Sequence, residues 1–154
     1  MSPHRDLVTL LGIAEPLSAL THLATALALA MFAVARSRRG LPPKGKGALL
    51  IFTAAILGMF LVSATYHALP TLNPARQVFW HIDHAAIWIV LAATFSAVRM
   101  VYLEGRVVPT VVCLWTIAFF GVTVEMFAMR AMPLWISPSL YILMGWCGLP
   151  TVLK

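Results

Sequence analysis

Apolar runs of about 20 residues, separated by short polar stretches, recur along the whole chain. Runs free or nearly free of charge cover 16–35, 47–69, 78–98, 107–128 and 134–153. At about 1.5 Å per residue, each is long enough to cross a ~30 Å hydrocarbon core as a helix. These runs are apolar on every face, whereas barrel strands would be short segments of alternating polarity. The pattern predicts an all-α protein, a polytopic transmembrane helix bundle forming a single integral membrane domain over 1–154. Breakers mark its boundaries: Pro16 suits a first helical turn, Pro42 and Pro43 break the first loop, and Pro70 and Pro74 bracket the second. The apolar stretch 7–13 behind Arg5 is short for a cleavable signal peptide and runs into Glu15 and Pro16, so the first helix is expected to stay attached.

Composition agrees with that reading. Of the residues, 61% are hydrophobic and 10% charged, and the mean hydropathy of +0.91 lies far outside the soluble range. A formal net charge of +6 could suggest nucleic acid, but the basic residues are spread over loops and are densest in RSRRGLPPKGK. A loop meeting anionic headgroups is the reading taken, with membrane lipids as partners and no nucleic acid. On that topology Arg36, Arg38, Arg39, Lys44 and Lys46 share a side with Arg99, Arg106 and Lys154. Only Arg5, Arg76 and Arg130 lie on the other. The positive-inside rule then gives an external N-terminus and an internal C-terminus in the cell (plasma) membrane. Cys113 and Cys147 fall inside predicted spans, where a thiol acts as a small hydrophobe.

Polar residues inside the spans carry the candidate chemistry. Glu15, Ser18, Thr21 and His22 open the first helix; Ser63 and His67 close the second; His81, Asp83 and His84 open the third; Glu125 comes late in the fourth. Helix alternation brings all of these to one membrane face. An acidic side chain deep in a membrane helix costs on the order of 2.5–3.5 kcal/mol, so such residues normally face one another or a water-filled cavity. Ser63 and His67 are four residues apart and share a helix face. Asp83 follows after a short connection, near the positive end of its helix dipole. Together they could form half of a metal site: an imidazole ligand, a carboxylate to position water, and a supporting hydroxyl. The blander alternative makes the histidines interhelical hydrogen-bond partners and the serine a close-packing residue.

The run EPLSALTHLATALA, the SxxxH of SATYH, the DHxAIW of IDHAAIW and the later LYILMGW resemble the hemolysin III family, bacterial relatives of the progestin and adipoQ receptors. The resemblance covers Glu15 to about Trp146. It implies a seven-helix family fold of which five spans lie in this chain. It also implies a zinc centre in which His67 is a metal ligand, Asp83 orients the zinc-bound water and Ser63 supports the site. Glu15 and His22 match a helix 1 motif to which the resemblance gives no role. The family's other two zinc ligands come from an HxxxH in its last helix, and no HxxxH occurs here. The chain therefore reads as a truncated member or fragment with an incomplete site, in which His22, His81 or His84 could substitute. ATFSAV stands where relatives tend to have a GTYTP-like run. The family's receptors have an intracellular N-terminus, opposite to the loop-charge count. The expected activity is a zinc-dependent, membrane-embedded hydrolase acting on a lipid amide or ester. The alternatives are a pore-forming cytolysin-type protein or a non-catalytic lipid-sensing membrane protein.

Overall fold

The structure, a computed structural model of the chain, describes residues 12–102, 107–128, 132, 133 and 135–148, without the side chains of 107, 108, 147 and 148. Its regular elements are five helices: α1 (Pro16–Ser37), α2 (Pro43–Ala68), α3 (Pro74–Tyr102), α4 (Val107–Phe127) and α5 (Ile136–Gly148). The first four contain windows long and apolar enough to cross a membrane. α5 has 13 described residues; positions 134 and 149–153 of the fifth predicted span lie outside the described residues, as do Arg5, Arg106, Arg130 and Lys154.

Two helices begin about a turn earlier than hydropathy suggested. α2 starts at Pro43 and α3 at Pro74, because proline at the first helical position is pre-set for the helical φ and gives up only an N–H that would be unpaired anyway. In α3 the start is reinforced by Asn73, whose Oδ1 accepts from the Ala75 N–H at 2.9 Å. α3 also continues to Tyr102, giving 29 residues and a length of about 43 Å, more than the hydrocarbon core needs. α1 ends in a turn at 38–40, where Gly40 takes φ +67°, a left-handed conformation that glycine adopts without steric cost.

α3 is the centre of the bundle. It packs on α2, α4 and α5, while α1 leans mainly on α2. The most apolar window of α3 is 39% buried, against 11% for that of α1. Much of its buried face is small: Ala85, Ala86, Ala92, Ala93 and Ser96. Between membrane helices such residues let backbones approach closely, and dispersion does the rest. Trp88 and Ala92 of α3, Leu114 and Ala118 of α4 and Met144 of α5 form one buried cluster. The α4 backbone lies directly on the indole there, since a Cβ on Gly121 would stand 2.1 Å from Trp88 Cδ2. A hydrogen bond ties the same pair of helices, Trp115 Nε1 donating to Ser96 Oγ at 3.1 Å. Outward positions of α1 such as Leu17, Leu20, Leu27 and Met31 are exposed, as a lipid-facing helix requires.

Candidate functional site

Glu15 immediately precedes α1, and its backbone N–H donates to the His67 carbonyl at the end of α2 at 3.0 Å. Its side chain is thereby held against the same residue: Oε2 lies 2.7 Å from His67 Nδ1. Oε1 accepts from Arg76 Nη2 in the first turn of α3. With a carboxylate as acceptor, Nδ1 carries the hydrogen, and the lone pair of the neutral ring sits on Nε2.

Arg76 is the hinge of the arrangement. Its Nη1 donates to the carbonyls of Tyr66 at 3.1 Å and Leu69 at 2.6 Å, groups that the end of α2 leaves without helical partners. The guanidinium also lies 4.5 Å above the Tyr66 ring, a cation–π contact. It thus neutralises Glu15, meets the negative end of the α2 dipole and joins three elements. The side chains of His67, Arg76 and Glu15 keep 19%, 12% and 26% of their exposure, so the cluster sits at a rim rather than in the sealed core. His22 completes it from α1, its ring 5.1 Å from that of His67 and 5.6 Å from Phe60. Among the described residues, His22 Nδ1 is buried with no hydrogen-bond partner. Ser63, one turn before His67, is buried as well.

A second cluster involves α3, α4 and α5. Glu125 is fully buried; its Oε1 accepts from the Tyr141 hydroxyl at 2.7 Å, and its Oε2 has no partner among the described residues. His81 Nδ1 donates to the Glu125 backbone carbonyl at 2.9 Å. His84 Nδ1 donates to the Trp80 carbonyl at 2.9 Å, and the Tyr141 hydroxyl lies 3.2 Å from the His84 carbonyl. Asp83 belongs on this side, within electrostatic range of Tyr141. The carboxylate bonded to His67 is Glu15.

In the sequence Arg76 counts only as a loop charge, and nothing there pairs Tyr141 with Glu125. The signal for Arg76 emerges only with α3 starting at Pro74: a cation in the first turn of a helix opposes the dipole and calls for an acceptor nearby.

Zinc hydrolytic sites use three protein donors and a water. Among the described residues no three His, Cys, Asp or Glu side chains come together as a ligand set. His81 and His84 each spend Nδ1 on a backbone carbonyl, and His67 spends it on Glu15. The described residues do not by themselves fit zinc, although His67 keeps Nε2 as a donor.

Comparison with known proteins adds the family. Residues 13–154 match the family model described as Haemolysin-III related. The chain is 29% identical over 97 residues to the Hemolysin-3 homolog of Bacillus subtilis (strain 168), a match covering 62% of this chain and 45% of that protein. It is 28% identical over 102 residues to Hemolysin-3 of Bacillus cereus, covering 64% and 46% respectively. The matched part thus spans about half the length of these relatives. No solved structure matches the chain. The family match, covering the chain from the residues just before Glu15 to its last position and all five helices, shows that this multi-pass membrane protein belongs to the haemolysin-III related family.

Proposed function

We propose that the chain contributes to a lipid hydrolase centre embedded in the cell membrane, with His67 as a metal donor and a lipid amide or ester as substrate. The observation that carries this reading is the Glu15–His67 bond. A metal-bound histidine characteristically gives its second ring N–H to a carboxylate, which fixes the tautomer and raises the basicity of the donor nitrogen. Glu15 stands in that relation to His67, and Arg76 holds Glu15 in place. Zinc in a hydrolytic centre lowers the pKa of bound water toward about 7 and polarises a carbonyl. This chain's part is narrower: it orients one imidazole and anchors that orientation across three helices. Asp83 as the group that orients water, and Ser63 as a supporting hydroxyl, are part of the same proposal.

One matched donor of three makes the expected affinity low. Full structural zinc sites bind with only ~10–16 kcal/mol, so losing two imidazoles removes much of the total. Purified in detergent and dialysed against a mild chelator, the 154-residue chain should retain far less than one zinc and turn over no lipid amide. Extending it with helices that carry an HxxxH should restore one zinc per chain, and His67→Ala should remove it again. One zinc held tightly by the 154-residue chain and lost in His67→Ala would show that His22, His81 or His84 completes the set. The relative named Hemolysin-3 suggests a second reading, membrane lysis. Dye release from liposomes by the metal-free chain would favour it over hydrolysis.

A further inference from the structure

Away from the polar clusters, the opposite end of the bundle is cationic. Arg36, Arg38, Arg39, Lys44 and Lys46 surround the α1–α2 turn. Of the described carboxylates, Glu15 and Glu125 are engaged at the other end, and Asp83 lies in the N-terminal half of α3, away from the α1–α2 turn. The guanidinium of Arg36 makes no ion pair among the described residues. Lys44 and Lys46 sit in the first turns of α2, where the helix dipole and unpaired N–H groups add to their positive potential.

Two grooves open beneath this rim. One, of about 500 Å³, runs between the α1–α2 turn, α2 and α3, with Arg36 at its mouth and Leu49, Phe52, Ala97, Val98 and Val101 along its walls. The other, of about 460 Å³, runs between α1 and α2, with Lys46 and Ser37 at its polar part and Val34, Leu49 and Leu50 below. Leu49 lines both, so the two grooves adjoin at this residue.

We propose that this end of the bundle is a binding site for one anionic diacyl phospholipid, its phosphate at Arg36 and Lys46 and its two acyl chains on either side of Leu49. The chemistry selects that occupant. A soluble anion would use the cationic rim and make no use of the apolar walls. A zwitterionic lipid would bring its own ammonium against five basic side chains. An anionic lipid satisfies both parts at once, and basic pockets between membrane helices recognise such headgroups. The site is independent of any metal at His67 and lies at the other end of α2.

The test uses the 154-residue chain in a non-ionic detergent, mixed with equal amounts of phosphatidylglycerol and phosphatidylcholine of matched acyl chains and read by native mass spectrometry. The expected result is a single retained phosphatidylglycerol, favoured over phosphatidylcholine by at least about 5-fold, the worth of one basic residue at an anionic surface. Arg36→Gln with Lys46→Gln should erase the preference, and Arg36→Lys should keep most of it. Ala97→Phe, which fills the first groove and leaves every charge in place, should weaken phosphatidylglycerol retention. Equal retention of the two lipids by the unmodified chain would overturn the proposal without recourse to any variant. So would displacement of phosphatidylglycerol by an equal concentration of glycerol phosphate, which would show an anion site with no use for acyl chains. A chain dimer that excludes lipid and is broken by Ala97→Phe would assign the groove to a second copy and overturn it as well.

Discussion

Arg76 works against one helix dipole and with another. In the first turn of α3 its charge is unfavourable by about 0.3–1 kcal/mol, and that penalty is offset by Glu15, the Tyr66 and Leu69 carbonyls and the Tyr66 ring. Arg76→Met would leave a carboxylate and two helix-end carbonyls without their donor. It should lower stability in detergent by about 2–4 kcal/mol, a range reduced from fully buried pairs because the cluster is partly exposed. Glu15→Gln should cost less, and the double variant should lose less than the sum of the two, as coupled partners do. Thermal unfolding of the four proteins measures the coupling; strict additivity would show that Glu15 and Arg76 act separately. The histidines and Glu15 were legible in the sequence because ionisable groups beside or within apolar runs stand out. Arg76 was not, since it precedes the apolar run that begins at 78 and reads as loop. Nor could the sequence reveal that Glu15 reaches His67 across 52 positions, because such a partner is chosen by helix packing and not by spacing.

At the level of elements, α3 shows what hydropathy can and cannot locate. Its apolar run marks the stretch inside lipid, and the helix is longer because Asn73 and Pro74 cap it in the polar zone. Periodicity also hid which face of α3 turns inward, because a helix surrounded by lipid and by other helices is apolar all round. The small residues of that face were the available clue. The tightest point of the α3–α4 contact gives a direct check. Gly121→Ala would drive a methyl into the Trp88 indole and should destabilise the protein by about 1–3 kcal/mol, the usual range for overpacking. Pairing it with Trp88→Leu should recover part of the loss. Detergent unfolding of the single and double variants measures it, and an unaffected Gly121→Ala would mean that α4 moves off the indole at no cost.

On the scale of the whole molecule, four of the described helices are long and apolar enough to cross a membrane, and a crossing by α5 as a fifth would put the two ends of the chain on opposite faces. Reporter fusions at residue 2 and residue 154 should therefore sit in different compartments, and a fusion near residue 41 should share the compartment of the latter. The same compartment for both ends would mean that α5 does not cross. The Glu15–Arg76 contact also sets an order of assembly. α1 has the least buried apolar window of the four candidate spans, and the arginine that fastens its leading end lies 61 positions downstream. At ribosomal rates of about 5–20 residues per second, α1 leaves the ribosome several seconds before Arg76 does. For that interval α1 has α2 to pack on and Glu15 has His67, but the Glu15 carboxylate waits at the membrane rim without its cation. The start of α3 then fastens the α1–α2 pair, so the chain inserts from its N-terminus but is latched from its middle.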